Sequence, residues 1–468
     1  MLSSVSSATP ARRLRAARKP LVSVSNMGGR RGVARWLLPA QTRRAGYPPL
    51  VFGWKRWAAP LLLGVLGLAC GDDAEGIQPS ADDQTTLQTA LTGLEDGDEL
   101  VLGAGTFRLT DVLGVNGKAD VVIRGQGMDE TILDFSGQEV GGAGLDLTNM
   151  ERVVVSDLSI MDAEGNGLRI RGSDGVVIRN VRAGWTAESS TDNGKYAIYP
   201  VQCQNVLVEG SEALNSADAG FYMGQVTNGI MRNNVARGNV AGFEVENSVN
   251  CEVHDNLAED NTGGILVFEL PGLPMQGAGT LVRDNEVRAN DRANFGEPGS
   301  TVGLIPAGTG IFILAANDVE IRDNVIADNR SIGVAVISYD TLLALEGEAS
   351  TGDPDYDTLS EDIWIHDNEM TDNGLEPGSS GDALAMILGL IQAFTGEPFP
   401  EDLEDVVYDG FYPEDAGPET LCLSSDPPTF IDIDAAGLVM EDPVISRDPT
   451  PHLCDGTPRP SVTLAFEG

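Results

Sequence analysis

This sequence contains few histidines, and it lacks the cysteine patterns of metal sites and long amphipathic stretches. Each of these features excludes a class of protein. Only three histidines, His254, His366 and His452, occur among 468 residues, so a histidine-rich metal site is not expected. None of the five cysteines stands in a CxxC pair or in a Cys/His spacing typical of zinc. No repeat of the chain contains a ten-residue amphipathic stretch, which excludes a helical solenoid.

Acidic residues are absent from positions 1–71, which contain 12 Lys and Arg. Residues 72–468 contain all 71 Asp and Glu against 18 Lys and Arg, a formal charge of −53. Such a surface repels phosphates, so we expect no nucleic-acid partner. The charge favours Ca²⁺ as a possible cofactor, although no metal ligands can be assigned from the sequence. We expect the protein to be a monomer.

The basic N-terminal segment predicts export. Lys55 and Arg56 precede the apolar run Ala58–Ala69, which is too short to span a bilayer and ends at Cys70. This pattern is typical of a lipoprotein signal in which Cys70 is lipidated; an ordinary signal peptide with a chance cysteine is the alternative. We therefore expect an outer-membrane or cell-surface lipoprotein, with the lipid anchor as its only membrane contact.

The remaining cysteines divide by position. Cys422 and Cys454 lie in the proline-rich C-terminal region and are candidates for a disulfide, which export would permit. Cys203 and Cys251 lie within a repeat region, and we interpret them as buried apolar residues.

Two short patterns recur in phase along the chain. The first, apolar-x-apolar-x followed by Asp or Asn, begins at Val153, Val176, Val206, Gly229, Cys251, Thr280, Val319 and Ile363. The second, Gly-apolar-x-apolar, begins at Gly144, Gly167, Gly220, Gly242, Gly264, Gly310 and Gly333, with Ala197 in place of one glycine. Short strands repeated every 22–23 residues bury their apolar side only if successive turns stack.

This repeat predicts an all-β fold, a right-handed parallel β-helix. The predicted organisation is a targeting segment (1–70), a linker (71–83), the β-helix (84–373), and a C-terminal cap with an acidic, proline-rich tail (374–468). Helices are predicted at Thr85–Leu94 and Ser380–Phe394, where they would cover the ends of the β-helix.

Pairs of asparagines spaced Asn-x4-Asn support the same fold. They are Asn234/Asn239, Asn256/Asn261, Asn285/Asn290, Asn324/Asn329 and Asn368/Asn373. Asparagine tolerates the left-handed conformation of a corner, and stacked amides can form a hydrogen-bonded ladder. We therefore interpret these residues as structural; sugar or ion binding is the alternative.

Three stretches carry a family resemblance: YPVQCQNVLVE (Tyr199–Glu209), NVAGFEVENS (Asn239–Ser248) and DNTGGILVFELPGLP (Asp260–Pro274). With them, residues 84–373 resemble bacterial parallel β-helix repeat proteins of the pectate-lyase-like superfamily, within it a cell-envelope subgroup. More distant relatives are mannuronan C5-epimerases, pectate lyases and periplasmic copper-maturation proteins. The resemblance implies binding or processing of polysaccharide on an outer face, although the epimerase signature Asp-Pro-His-Asp is absent here.

The Gly-apolar-x-apolar strands identify the side chains that point outward. Two columns contain Asp146, Arg169, Tyr199, Tyr222, Glu244, Leu266, Phe312 and Ala335, and Thr148, Arg171, Val201, Gly224, Glu246, Phe268, Leu314 and Ile337. Because adjacent coils lie about 4.8 Å apart, the Arg, Tyr and Glu members form one patch of about 15 Å. This is the span of about three sugar units.

The residue types in this patch suit an acidic glycan. Arg169, Arg171 and Tyr199 are candidates for substrate binding, because Arg pairs with carboxylates and aromatic rings stack on sugars. The catalytic candidates are Tyr222, Glu244, Glu246, Asp218 and Lys195. As an enzyme the protein would be a polysaccharide lyase or resemble a uronate epimerase. A structural protein that displays loops, without catalysis, is the competing hypothesis, and a metalloenzyme maturation factor is a third.

Insertions interrupt the repeat at residues 184–195, 291–307 and 338–361. Long loops on a rigid scaffold commonly form the walls of binding sites. We expect the first insertion to overhang the patch, and the third, which is acidic, is a candidate Ca²⁺ loop.

Overall fold

A computed structural model describes residues 76–348, 350–377, 383–396, 402–413 and 416–466. They all belong to one unit, Cys70–Gly468. The predicted signal peptide, Cys70 and the first residues of the predicted linker lie outside the described residues. No helix within the described ranges is long and apolar enough to cross a membrane.

The described strands pair in parallel with the strands one coil before and after them. We call the sheet that carries the outward patch the first face. Its strands are β3 (Leu113–Asn116), β6 (Ala143–Thr148), β8 (Asn166–Arg171), β10 (Ile198–Val201), β13 (Ala219–Gly224), β16 (Ala241–Glu246), β19 (Gly263–Phe268), β22 (Thr309–Leu314), β25 (Ile332–Ile337), β28 (Val406–Tyr408) and β30 (Phe430–Asp432).

The other strands form one larger sheet that bends into two further faces. The second face comprises β1 (Glu99–Val101), β4 (Ala119–Arg124), β7 (Glu151–Met161), β9 (Asp174–Gly184), β11 (Gln204–Glu209), β14 (Thr227–Arg232), β17 (Val249–His254), β20 (Ala278–Arg283), β23 (Asn317–Arg322), β26 (Glu361–His366) and β29 (Leu421–Leu423). The third comprises β2 (Gly105–Arg108), β5 (Thr131–Asp134), β12 (Glu212–Leu214), β15 (Val235–Arg237), β18 (Leu257–Glu259), β21 (Glu286–Arg288), β24 (Val325–Ala327) and β27 (Glu369–Thr371). β7 and β9 continue through both faces, which joins them.

Alternate residues of each strand point into the coil and stack on their equivalents in the next coil. Phe221 and Phe243, for example, are fully buried and stack with ring centroids 4.8 Å apart. Because the inward side chains of each coil pack on those of the next coil, the apolar interior is continuous along the β-helix. These observations confirm the predicted parallel β-helix.

Helix α1 (Asp83–Gly93) closes the N-terminal end of the interior, close to the predicted range. Its Leu87 and Leu91 are buried against the first coil. Gln88 donates from Nε2 to the carbonyl of Gly114 (2.9 Å) and accepts from the amide of the same residue (3.0 Å). The glutamine amide thus takes the place of a neighbouring strand, which protects an edge that would otherwise be unpaired.

The Asn-x4-Asn pairs form two internal ladders, as predicted. One contains Asn234, Asn256, Asn285, Asn324 and Asn368, and in each step an Nδ2 donates to the next Oδ1 at 2.9–3.1 Å. The other contains Asn239, Asn261, Asn290, Asn329 and Asn373. The predicted left-handed conformation belongs to the residue before each ladder Asn instead, for example Asp284 at φ 53° and Asp323 at φ 54°.

Replacing Asn285 by Ala should lower the free energy of unfolding by about 2–4 kcal/mol, because Asn285 binds four buried groups. It donates to Val253 O and Asn324 Oδ1, and its Oδ1 accepts from the amide and the side chain of Asn256. Urea denaturation followed by circular dichroism measures the change. Asn116→Ala, which removes one exposed hydrogen bond, is the matched control and should cost less than about 1 kcal/mol; equal losses would contradict a special role for the ladder.

The sheets do not stop at residue 373, where the predicted β-helix ended. β28 pairs with β25, β29 with β26, and β30 with β28, so residues 406–432 add further strands to the stack. The asparagine pattern stops earlier, which is why the sequence rhythm alone placed the boundary too early. Ile77 likewise bridges Leu102, so the predicted linker takes part in the fold from that residue.

The C-terminal segment is tied to the second face. Cys422 on β29 forms a disulfide with Cys454, as predicted, while Cys203 and Cys251 are buried and free. Beyond it, residues 459–464 run back across the second face. The amides of Arg459 (2.5 Å) and Val462 (2.8 Å) donate to the carboxylates of Glu320 and Glu252, respectively, and Leu464 packs with an apolar stripe of the same face.

The double variant Cys422→Ser/Cys454→Ser should unfold at lower urea concentration than the oxidised protein. A loop closed by residues 32 apart corresponds to about 3–4 kcal/mol of chain entropy in the unfolded state. Urea titrations with and without dithiothreitol measure it. Reductant should move the native protein to the midpoint of the variant and leave the variant unchanged; a midpoint insensitive to reductant would show that the disulfide contributes no stability.

Candidate functional site

Two insertions meet above the middle of the first face. Thr191 of the first insertion donates to the carbonyl of Phe295 in the second (2.8 Å), and Lys195 pairs with Glu297 (2.6 Å). Both insertions enter the first face from the same edge of their coils, the first before β10 and the second before β22, four coils apart. We call residues 291–307 the roof, because Phe295 and other apolar residues of this segment pack on the outward side chains of the first face.

Three tyrosines form an aromatic cluster beside the roof. Tyr199 on β10 and Tyr222 on β13 come from adjacent coils, and their ring centroids lie 4.9 Å apart. Tyr196, directly after the first insertion, stacks on Tyr199 at 4.5 Å and 8° and lies 4.7 Å from Tyr222. The sequence analysis missed Tyr196 because it precedes its strand; its place at the end of an insertion was the available signal.

Three carboxyl groups lie next to the tyrosines, and we call them the carboxyl cluster. Asp218 precedes β13, and Glu244 and Glu246 point outward from β16, so adjacent coils bring all three together. Their exposed fractions are 6, 2 and 8 %. Among the described residues, neither Oδ1 of Asp218 nor Oε2 of Glu244 has a hydrogen-bond partner. Two buried acceptors without donors are costly unless a proton or a ligand satisfies them.

Burial raises the pKa of every carboxyl group in this cluster. The pKa of Asp218 reaches about 7, where the ammonium of Lys195 opposes the effect of burial and the charge of Glu246 adds to it. The pKa of Glu244 lies well above its ordinary value through burial and the charges of Asp218 and Glu246. Burial also raises the pKa of Glu246 against the opposing hydrogen bonds of Tyr222 and Gln225. The cluster therefore holds protons near neutral pH, and can both donate and accept them.

Tyr222 acts on this cluster as a hydrogen-bond donor. Its hydroxyl donates to Glu246 Oε1 at 2.5 Å, and the amide of Gln225 donates to the same oxygen at 3.3 Å. Burial raises the pKa of Tyr222 well above 10, with the charge of Glu246 adding to the shift. Tyr222 thus keeps its proton and orients Glu246. A hydroxyl group that keeps its proton does not fit a role as a base.

Arg169 and Arg171 lie one coil before Tyr199 on the same face. Their guanidinium groups both contact Asp146 Oδ2, at 2.7 and 3.4 Å. Arg169 is the better anchored, since it also donates from Nε to the other carboxylate oxygen at 3.2 Å. An anionic ligand would therefore share these arginines with Asp146, and Arg171 is the more available of the two.

The outward columns are covered over much of their length. Tyr222, Glu244 and Glu246 are buried, and Leu266 and Phe312 beyond them are covered as well. The cover includes the roof, α2 (Tyr339–Glu346), α3 (Ala383–Thr395) and α4 (Ala435–Val439). The ammonium of Lys195 pairs with Glu297 on the exposed side of the insertions, and its predicted role as a proton carrier stays a prediction.

Glu269 is a further buried carboxyl group that the sequence analysis missed. It follows β19, and its Oε2 accepts from the amide of Gly277 at 2.7 Å. Burial raises its pKa to about 8, with the charge of Glu246 adding to the shift. It lies directly after an outward-facing strand, at the start of the ELPGLP motif, and this position could have identified it.

The described residues contain no group of three or more Asp, Glu, His or Cys arranged to hold a metal ion. The third insertion is acidic and was predicted to be a candidate Ca²⁺ loop. Its carboxylates accept hydrogen bonds from backbone amides. Asp353 accepts from Gly272 (3.1 Å) and Asp355 (3.1 Å), and Asp357 accepts from Leu359 (3.1 Å). The bond from Gly272 holds the loop against residues 269–277, and the other two are local to the loop.

Residues 121–274 match a family model described as a right-handed β-helix region. The fold is a right-handed parallel β-helix. Among solved structures, the chain is similar to the A-module of a mannuronan C-5 epimerase of Azotobacter vinelandii (19 % identity, 64 % of this chain, 86 % of that one, TM-score 0.44). It is also similar to a polygalacturonase of Erwinia carotovora (10 % identity, 65 % of this chain, 95 % of that one, TM-score 0.44). No curated protein matches the sequence.

Glu269→Gln should stabilise the protein increasingly as pH rises from 5 to 8. The pKa of Glu269 is raised from 4.5 to about 8 on folding, so the folded state binds more protons in this window. Wild-type stability is therefore complete at low pH and falls as pH rises, whereas glutamine carries no such penalty. The gain should exceed about 1.4 kcal/mol, the equivalent of one pKa unit, in thermal or urea unfolding.

Glu286→Gln, which changes an exposed glutamate on β21 of the third face, is the control and should change the free energy of unfolding by less than about 1 kcal/mol. A Glu269→Gln gain that is constant from pH 5 to 8 would contradict a protonated, buried Glu269.

Proposed function

We propose that this protein binds or processes polysaccharide, with acidic glycans as the substrate class, at the uncovered part of the first face. We further propose that it is exported and anchored to the cell envelope through Cys70. The observation that carries the glycan proposal is the sequence of groups along successive coils: exposed arginine, an aromatic cluster, then buried carboxyl groups that hold protons at neutral pH.

Binding would depend on Arg171, Arg169 and Tyr199. The Arg171 side chain is 46 % exposed and that of Arg169 22 % exposed, and Tyr199 is half-buried with its ring held by stacking on Tyr196. A rigid ring loses little entropy when a sugar stacks on it, and a guanidinium group pairs with a uronate carboxylate in a bidentate manner.

If the protein is an enzyme, the cluster favours lyase or epimerase chemistry. Removal of the proton next to a uronate carboxylate requires a base whose pKa lies near neutral pH. Asp218 meets this requirement, with its pKa at about 7 and one oxygen without a partner. A neighbouring protonated carboxyl group, Glu244 or Glu246, would return a proton or protonate the leaving oxygen.

A structural or surface-display protein is the second candidate function, favoured by the burial of the carboxyl cluster. Glu244 is 2 % exposed, and the ion pair between Lys195 and Glu297 holds the insertions together above it. In that case the cluster would be a neutral, proton-sharing contact beneath the roof, without access to substrate.

A glycan array and a uronate-turnover assay on the purified full-length chain test these functions. Alginate and polygalacturonate would be assayed with and without Ca²⁺, and products followed by the absorbance of unsaturated uronate and by NMR for epimerised uronate. Arg171→Ala should weaken binding at least tenfold, whereas Arg124→Ala, an exposed ion-paired arginine on the second face, should leave binding unchanged.

The double variant Glu244→Gln/Glu246→Gln should abolish turnover and retain binding, and Tyr222→Phe should slow turnover. Binding without turnover would make the protein a carbohydrate-binding module. If neither binding nor turnover is detected with any acidic glycan, the glycan proposal is wrong and the surface-display function replaces it.

A further inference from the structure

The first face changes from open to closed between β10 and β13. Upstream, Arg171 and Asn116 are exposed and Tyr199 is half-buried. Downstream, Tyr222 is 4 % exposed, Glu244 follows at 2 %, and Leu266 in the next coil has no exposed surface. The change takes place within one or two coil spacings, each about 4.8 Å.

The closed part forms a wall across the path of any ligand that lies along the face. The two insertions meet through Lys195–Glu297 and Thr191–Phe295 at its front edge. Behind them, Ile305 and Leu304 of the roof pack with α2 and α3 around an apolar space that includes Phe312 and Leu314. The wall is thus several layers deep and continuous with the apolar cover of the remaining coils.

The other edge of the face is also closed one and two coils beyond β13, at the ends of β16 and β19. Asn247 donates to the carbonyls of Leu270 and Met275 (both 3.0 Å), and Tyr356 donates to the carbonyl of Glu269 (2.6 Å). A chain that enters along the open coils therefore has no exit beyond Tyr222, either straight ahead or over the side.

The open coils accommodate only a short ligand before the wall. From β3 to β10 the face spans four strands, or about 14 Å, which corresponds to about three sugar units. The aromatic cluster and Asp218 lie at the closed end, so the last sugar unit at the wall is the one next to the carboxyl groups.

We propose that the site takes the end of an acidic glycan chain, or a free acidic oligosaccharide of about three units, and does not bind the interior of a long chain. This inference rests on the proposed function, since it specifies which part of the glycan the same site recognises. The terminal unit lies against Tyr199 below the wall, and Arg169 and Arg171 contact the carboxylates of the preceding units.

Isothermal titration calorimetry of the full-length chain with oligogalacturonates and alginate oligomers of two to ten units, and with the long polymer of each, tests the inference. The affinity per mole of glycan chain should increase with glycan length up to about three sugar units. For longer glycans it should stay constant within about twofold. One protein should bind per glycan chain whatever its length, since each chain presents one end of the required kind. Arg171→Ala should weaken binding of the trimer and of the polymer by the same factor, while Arg124→Ala should change neither.

The failures of the two proposals are distinguishable in this experiment. A number of bound proteins that grows in proportion to chain length would overturn the chain-end inference and leave glycan binding intact. An affinity that keeps rising well beyond three units would also overturn the chain-end inference alone. No binding of any oligogalacturonate, together with no binding of alginate oligomers, would overturn the proposed function and the inference together.

Discussion

The stacking of one coil on the next is the interaction on which the rest of this structure depends. Every strand of a parallel β-helix satisfies its backbone groups through the coils above and below it, so neither packing nor hydrogen bonding is complete within a coil. The asparagine ladders carry this dependence into the interior. Asn285, for example, donates to Asn324 on one side and accepts from Asn256 on the other, so a single buried amide connects three coils.

Stacking also explains how the candidate site arises from residues far apart in the sequence. Tyr199, Tyr222 and Glu244 occupy the same strand position in three successive coils, and the coil repeat places them side by side without any dedicated framework. A rigid face of this kind holds its side chains in register, while the insertions that leave it at the coil corners supply the walls. The scaffold and the walls therefore have separate origins in the sequence.

The burial of the carboxyl cluster has two consequences that oppose each other. Beneath the insertions, Asp218 and Glu244 lose solvation, and their raised pKa values lower the stability of the fold above the pH at which the unfolded chain would ionise. The same loss of solvation makes them able to exchange protons near neutral pH. Replacing such groups with apolar residues of similar size would be expected to stabilise the fold.

The sequence by itself determined the coil, its repeat length and the direction of its side chains, because period-2 strands, glycines and, in five coils, asparagine pairs are local features that repeat along the chain. It also identified the disulfide between Cys422 and Cys454, and it placed Arg169, Tyr199, Glu244 and Glu246 on one face. Only the tertiary structure decided which part of that face is open. The contacts that close it, such as Lys195 with Glu297 and Tyr356 with Glu269, join insertions that have no periodicity and lie about 90 to 100 residues apart in the chain. Burial, and with it the pKa values of the carboxyl cluster, follows from those contacts and has no signal in the repeat.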